Sequence, residues 1–418
     1  MSLRTCLSFC STSTDDSTLL PIPTRHVSNT DPTTTSSSSS SSLHSALTFP
    51  TLQTLQTPQP TPLYPHKLLS TTQTSHHLPI TSLALSIDHR LLYIATTSAV
   101  SAVDSLSLHP LSSLPTPSSA GAVKSLSFDS RLRLFTAHQD GRIRVWSSPH
   151  HRPLASLPTL PDRLRRLPLP KNYVRVRRHR RRLWIEHADA VSAVTVSGNL
   201  IYSVSWDKTL KIWRTSDLRC VESVAAHDDA VNAVAVAGDG TVYTASADRR
   251  VRVWSPDRES RRHVLIATLE KHKSSVNALA LSEDGRILYS GACDRSILVW
   301  EREESADHMV VRGALRGHTG AILCLMNVGD LFFSGSADRT VRMWRRGGGQ
   351  YCCMGVLEGH VRGVKALVAF REGEDTWRVC SGDLDGEVRV WKVWVSGGEI
   401  CGVSSNNKDC CDNGTNKR

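Results

Sequence analysis

The sequence predicts an all-β protein built from tandem four-stranded sheets, and three observations carry that expectation. An eleven-residue stretch recurs along the chain, its copies are spaced by a little over forty residues, and the segments between them alternate apolar and polar residues. The copies are "SVSWDKTLKIW" (203–213), "TASADRRVRVW" (244–254), "SGACDRSILVW" (290–300), "SGSADRTVRMW" (334–344), "SGDLDGEVRVW" (381–391) and "TAHQDGRIRVW" (136–146). Their closing tryptophans lie 67, 41, 46, 44 and 47 residues apart, so a single interval breaks the period.

Each unit carries a histidine four residues before an aliphatic residue: His187 and Val191, His227 and Val231, His272 and Val276, His318 and Ile322, His360 and Val364. A run such as "VNAVAVAGDGTVYTAS" follows, and its period-two pattern broken by Gly-Asp-Gly reads as strand a, hairpin, strand b. The recurrent stretch supplies the b–c corner and strand c, and a variable link leads on to strand d. Residues 121–146 repeat the pattern with Thr136, Asp140 and Trp146, but Ser119 stands where the histidine is expected, which leaves that set incomplete. Residues 76–104 keep His76 and Ile80 at the right spacing without the corner aspartate or the tryptophan. Counted as a degenerate first sheet, they bring the total to seven.

The flanks read differently. Residues 1–60 are rich in Ser, Thr and Pro, with an unbroken serine run from Ser36 to Ser42, and hold too little apolar surface to offset ordering entropy. A disordered tail is expected there; a transit peptide is the rival reading, with Asp15, Asp16 and Asp31 against it. Residues 403–418 form a second polar tail, leaving 61–402 for the sheets. No stretch approaches the roughly 18 uninterrupted apolar residues of a membrane span and no secretory h-region opens the chain, so a soluble intracellular protein without membrane contact is expected. The eleven cysteines show neither a CxxC pair nor zinc-finger spacing and read as reduced thiols, with no metal and no cofactor implied.

The spaced histidine, the corner aspartate and the terminal tryptophan resemble the WD repeats of β-propellers, over about residues 75–395. That resemblance implies a seven-bladed β-propeller in which histidine, strand-b hydroxyl, corner aspartate and tryptophan form a hydrogen-bonded tetrad. The implied sets are His187/Ser203/Asp207/Trp213, His227/Thr244/Asp248/Trp254, His272/Ser290/Asp294/Trp300, His318/Ser334/Asp338/Trp344 and His360/Ser381/Asp385/Trp391. It also implies that an N-terminal strand completes the last sheet, for which "HKLLSTTQT" (66–74) is the first candidate and "EICGVSS" (399–405) the competitor. The segments "LPKNYVRVRRHRRRLWIEHADAVSA" and "WDKTLKIWRTSDLRCVESVAAHDDAVNAV" further resemble plant WD-repeat proteins of the JINGUBANG type.

Two features stand outside the scaffold. The long interval is read as a basic insertion at about 149–184, in the link from strand c to strand d of blade two. Its segment 163–182 holds nine arginines, one lysine and no acid, a charge of +10 against +11 for the whole chain, so the basic character is local. Arg175, Arg177, Arg178, Arg180, Arg181 and Arg182 are its densest part, read as an import or acidic-partner patch, as an inert solvated insertion, or as a contact for nucleic acid phosphates. Val174 and Val176 alternate with arginines and point to a strand extending the blade edge, while Pro168 and Pro170 exclude a continuous helix.

The second feature is the narrow face that WD propellers use for partners, formed by the b–c corners and the starts of the a strands. By that rule the corners contribute Gln139, Trp206, Ala247, Cys293, Ala337 and Leu384, and the strand starts Lys124, Ser192, Asn232, Asn277, Leu323 and Lys365. A large aromatic among amides, leucines and lysines has the make-up of a binding patch, although Trp206 folded over its own hairpin is the alternative.

A catalytic Ser/His/Asp set is expected once, beside a pocket, whereas this one recurs five times in equivalent places, and "GGGQ" (347–350) lacks the Gly-Lys-Ser/Thr end of a phosphate loop. A non-enzymatic, monomeric scaffold for protein partners follows, with a nucleic-acid-associated regulator as the alternative. The JINGUBANG resemblance implies a plant protein of cytoplasm and nucleus that restrains pollen germination and tube growth through a transcription factor partner.

Overall fold

In the computed structural model, seven four-stranded antiparallel sheets follow one another along the chain, joined by a separate two-stranded hairpin. Residues 52–55, 65–74, 77–148, 150–177, 180–257, 259, 262–303, 308–347 and 350–395 are described. The polar tail at 403–418, the candidate strand 399–405, His76 and nearly all of 1–60 lie outside them. Among the described residues no helix is long and apolar enough to cross a membrane.

The sheets occupy 80–114, 123–157, 191–225, 231–269, 276–315, 322–357 and 364–394, so the degenerate stretch before the first tryptophan is a complete blade one. Blade seven has only three strands of its own, and His66–Gln73 supplies the fourth, pairing with Glu387–Trp394 from His66 opposite Val393 to Gln73 opposite Glu387. An edge that would otherwise offer unpaired backbone groups is thereby closed.

The core lies between neighbouring sheets. Ile80, Leu92 and Ile94 of blade one pack with Cys380, Val388 and Val390 of blade seven, which joins the two ends of the ring. The "Ser-Gly" pairs of strand b make these approaches possible: a Cβ on Gly291 would sit 2.4 Å from Ile322 Cγ2, and one on Gly382 would sit 2.7 Å from Ile80 Cγ2. The missing side chain is filled by the first strand-a residue of the next blade. The corner after strand b needs left-handed backbone, met by Gly141 at φ 81° and Gly386 at φ 87° and, at some cost in strain, by Lys208 at φ 73°.

Three sequence expectations change. Residues 53–55 dock rather than belong to a tail: Leu55 N–H donates to Ala314 O at 3.1 Å, Tyr351 N–H donates to Leu55 O at 3.2 Å, and Leu55 is 7% exposed. One apolar anchor placed where Gly313 leaves room is invisible to composition, which averages it away. The basic insertion does not split strands c and d of blade two, because Pro153–Leu157 is already strand d; it follows that strand and leads into blade three. Nor does its hairpin extend a blade edge, since Tyr173–Arg177 pairs only with Arg180–Leu183.

The inter-blade role of the strand-b glycines is testable. Gly382→Val should lower unfolding free energy by about 1–3 kcal/mol in denaturant melts. Gly238→Ala, with nothing within 4 Å of its added Cβ, should change it by less than about 0.5 kcal/mol.

Candidate partner-binding face

The tetrads set the geometry on which the face is mounted. In blade three the Trp213 indole N–H donates to Ser203 Oγ at 2.9 Å, Ser203 Oγ lies 2.9 Å from His187 Nε2, and His187 Nδ1 lies 3.1 Å from Asp207 Oδ2. Burial lowers the pKa of His187, against the pull of Asp207, so the ring is neutral. The carboxylate can only accept, so Nδ1 carries the proton and the serine hydroxyl donates to Nε2. Asp207 also accepts from the Ala188 and Thr209 backbone amides at 2.7 and 3.0 Å, which pins the histidine loop to the b–c corner.

Blades four, five and six repeat this chain. His227, His272 and His318 reach Asp248, Asp294 and Asp338 at 2.8, 3.0 and 2.8 Å, and Trp254, Trp300 and Trp344 donate to Thr244, Ser290 and Ser334 at 2.9, 2.8 and 2.9 Å. Burial acts to raise the Asp248 carboxyl, yet its hydrogen bond and charge interaction with His227 hold it down at about 2.

Two blades depart from the sequence reading. In blade seven the Trp391 indole N–H donates to Ser381 Oγ at 2.9 Å, and that oxygen lies 2.7 Å from His360 Nε2, but the carboxylate that completes the set is not the expected one. The partner of His360 is Asp383, at 3.2 Å, and not Asp385. The expected grouping of His360, Ser381, Asp385 and Trp391 is therefore corrected to His360, Ser381, Asp383 and Trp391, with Ser381 fully buried and Trp391 4% exposed. Asp383 sits at the position of Ser336 in blade six, one side-chain alternation earlier, and points inward with no exposure, while Asp385 faces His77 at 3.5 Å.

In blade two the set is not left without a histidine. His138, two residues beyond Thr136 on the same strand, places Nε2 2.7 Å from Thr136 Oγ1, and Trp146 donates to that oxygen at 3.0 Å. Its Nδ1 has no hydrogen-bond partner among the described residues. Burial, assisted by the nearby Arg144 charge, pulls the His138 pKa down to about 3. The histidine in "TAHQD" was the available signal, masked by the search for one ahead of strand a.

Among the described residues one group, His360, Asp383 and Glu387, brings three metal-capable atoms within 4.8 Å of one another. It coincides with the blade-seven tetrad, where Arg389 already pairs with Glu387 at 2.9 Å. Cys220, Cys324 and Cys380 are free thiols, and burial pushes all three up to about 12. Cys352 is disulfide-bonded and departs from the reduced reading.

The structure brings the two predicted halves of the face together. The backbone N–H of Gln139, Trp206, Ala247, Cys293, Ala337 and Leu384 donates to the carbonyl preceding strand a of the same blade, at 2.8–3.1 Å. The strand-a residues Lys124, Ser192, Asn232, Asn277, Leu323 and Lys365 share a property that sequence reasoning missed: each is skipped in the a–b pairing, the extra residue of a β-bulge. Released from the ladder, several of them tie blades together. Ser192 donates to Val231 O at 2.5 Å, Asn232 to Val276 O at 2.9 Å and Asn277 to Ile322 O at 2.9 Å, while Lys365 reaches back to Leu323 O at 3.4 Å.

These bonds correct the expected patch. The Asn232 and Asn277 amides serve the ring, and Leu323, 9% exposed, is covered rather than presented. Trp206 is half-buried and its ring lies under the Lys124 ammonium, 5.1 Å from Nζ to centroid, so an aromatic and a cation from adjacent blades stand together. Gln139 is exposed at the equivalent corner of blade two, and Leu384 is half-buried.

Of the basic patch, Arg175 and Arg181 are exposed and Arg182 donates to His187 O at 2.7 Å; Arg178 and the side chains of Arg177 and Arg180 lie outside the described residues. The insertion is anchored firmly. Asp162, at the start of helix Leu160–Arg166, accepts from Arg166 at 3.1 Å and from the Cys220 backbone at 3.3 Å, and the Arg166 guanidinium stacks 4.4 Å over Trp184. Lys211, 2% exposed, donates to Trp184 O at 2.5 Å and Ser223 Oγ at 2.6 Å, and burial pulls its pKa down.

A seven-sheet ring with recurrent His-hydroxyl-Trp chains defines a β-propeller of the repeat type, and comparison with known families agrees. The WD domain, G-beta repeat, matches residues 108–147, 179–214, 218–255, 263–301, 310–345 and 351–392, and the chain belongs to the WD40 repeat family. Each matched unit from blade four onward begins at the outer strand of one blade or the link to it and ends at the tryptophan strand or just beyond, so sequence repeats and blades are offset. Among characterised proteins, the pre-mRNA-processing factor 19 of Bos taurus, Mus musculus and Rattus norvegicus is 28% identical over 138 residues, 32% of this chain. The match spans about a quarter of the length of those relatives, 26%.

Two measurements check the geometry. Asp383→Ala should destabilise the protein by about 1–3 kcal/mol more than Asp385→Ala, because only the first removes the carboxylate that faces the buried His360 imidazole. His138, with its folded pKa below the unfolded value of 6.5, favours folding least in acid: its contribution is intact above pH 6.5 and is lost as pH falls toward 3. Between about pH 7 and pH 5 the wild type should lose about 2 kcal/mol more than His138→Gln, on the order of the shift involved.

Proposed function

We propose that this chain is a non-enzymatic interaction scaffold that presents the Trp206–Lys124 corner of its narrow face to a protein partner. The pairing of that indole with a cation from the next blade carries the reading: it is the aromatic on the face, it is half-buried rather than sealed, and it takes no part in a tetrad. WD40 propellers generally bind protein partners and lack catalytic activity of their own. The recurrent Ser/His/Asp sets are occupied by the fold, each hydroxyl already receiving an indole N–H.

The finer reading rests on the JINGUBANG resemblance in the insertion and blade-three segments. It makes the chain a plant regulator of cytoplasm and nucleus that restrains pollen germination and tube growth through a transcription factor, with the arginine-rich insertion as import signal or second contact. Direct binding of nucleic acid through that insertion is the competing reading, favoured by the exposed Arg175 and Arg181.

The test is co-purification of transcription factors from germinating pollen with wild-type protein and with the Trp206→Ala, Lys124→Ala double variant. Loss of a specific factor from the variant, with thermal unfolding unchanged, is the expected result. Retrieval of an identical set by both forms would exclude this corner, and retention that disappears with nuclease treatment would favour the nucleic acid reading.

A further inference from the structure

Two cavities meet beneath the insertion. One, of about 300 Å³, is lined by Arg142, Arg163, Arg181 and Arg182 together with Asp140 and Glu186. The other, of about 670 Å³, is lined by Leu154, Ala155, Leu160 and Pro161 among others, and the two share Arg142, Pro158 and Arg163. They lie side by side across these shared residues, as a groove with a smaller cationic lobe and a larger, partly apolar lobe.

The charges decide what can enter the narrow end. Every carboxylate lining the groove is already engaged: Asp140 by Arg144 at 2.6 Å, Glu186 by Arg163 at 2.6 Å, Asp162 by Arg166 at 3.1 Å and Asp217 by Arg214 at 3.3 Å. Arg142 and Arg181 make no ion pair among the described residues, and both are exposed. A negatively charged group placed between them meets available guanidinium donors and no free carboxylate.

The wide end asks for something different. Leu154 and Leu160 are 54% and 67% exposed, apolar surface left to water on a segment that is otherwise rigidly held. Covering side chains of that size stabilises a complex through burial, and a groove already shaped spares the ordering cost of forming it. Neither cavity is lined by Phe, Tyr or Trp, and the His187 ring at the narrow end is 1% exposed and held by Asp207 and Ser203, so bases of a nucleic acid would find no stacking surface, and a sugar-phosphate chain would leave the leucine end empty.

We propose that this groove binds an acidic peptide segment of a partner protein, with a carboxylate or phosphoryl side chain between Arg142 and Arg181 and a bulky apolar side chain against Leu154 and Leu160. The site shares no lining residue with the Trp206–Lys124 corner. The narrow end has room for one anionic side chain, and the lobes are contiguous through Arg142 and Arg163, so the two anchors lie close together along the bound peptide.

Fluorescence anisotropy with the full chain tests this directly. The probes are a labelled peptide pool rich in Asp and Glu with a central Leu or Phe, the same pool with that residue changed to Ser, and a single-stranded oligonucleotide of equal charge. Saturable binding of the first probe is expected, about tenfold weaker in R142E/R181E and about tenfold weaker in Leu160→Asp. Trp206→Ala should bind it normally, which separates this site from the face described above. Thermal unfolding of the groove variants should match wild type, since all three side chains project to solvent. Absence of saturable binding, equal affinity for the Ser pool, tighter binding of the oligonucleotide, or variants that bind like wild type would each overturn the proposal.

Discussion

In blades two to seven a strand-b hydroxyl with no solvent exposure stands 2.7–3.0 Å from an indole nitrogen on one side and an imidazole nitrogen on the other, and neither ring could be buried there without it. An indole N–H left unpaired in the interior costs more than its hydrogen bond contributes when made, so the hydroxyl is a condition of the packing rather than an addition to it. With the indole in place, the tryptophan of strand c fills the space toward the neighbouring sheet. The imidazole carries the constraint outward to the aspartate and so fixes the b–c corner against the loop entering strand a. Local polar satisfaction thus determines where the rim of the ring lies.

The same constraint explains why most of the narrow face is already occupied. Seven bulges, at Thr81, Lys124, Ser192, Asn232, Asn277, Leu323 and Lys365, release one strand-a residue per blade from its ladder. At Ser192, Asn232 and Asn277 that residue reaches the next blade's backbone, a bond that the ladders within each radial sheet do not provide, whereas Thr81 donates to Ala95 O of its own blade. At Lys124 the side chain instead extends to the Trp206 ring on the adjacent blade. At this corner the inter-blade tie is therefore made by a cation over an aromatic ring rather than by a side-chain hydrogen bond to the next backbone.

The recurrent element was legible because its chemistry is local and periodic. Period-two patterning located the strands, and the tryptophan spacing gave the count; even blade one, without aspartate or tryptophan, followed from Ile80 and its two strand-like runs. What escaped the sequence was substitution within a recurrent geometry. In blade seven Ser381 and Trp391 stand at the repeat's usual spacing, but Asp383 and Asp385 differ by two positions, which keeps both on one side of a strand in pattern terms. Only the bend of the corner decides which carboxylate turns toward His360. His138 occupies the imidazole site from strand b rather than from the loop ahead of strand a, so a search by spacing could not find it. The asparagines looked like recognition residues because amides do recognise partners, but a residue's polarity says nothing of a carbonyl brought close by the next blade.

The position of the insertion has a structural consequence of its own. Coming after strand d of blade two, it leads directly into the histidine loop of blade three, and its contacts converge there. Arg182 donates to the His187 carbonyl, Lys211 holds the Trp184 carbonyl from inside the blade, and Gly141 of the blade-two corner packs so closely on that loop that an added Cβ would lie 2.9 Å from His187 O. The imidazole of His187 in turn fixes Asp207, the residue next to Trp206. The arginine-lined groove and the aromatic corner are thus mounted on the two ends of one short hydrogen-bonded chain. Any shift of the histidine loop has to be taken up by the 3.1 Å bond to Asp207 or by the corner it supports. Had the added segment split strands c and d of blade two, as the spacing of tryptophans implied, it would have left from the link between Ser147 and Pro153, at the end of those strands remote from the b–c corner and from the histidine loop.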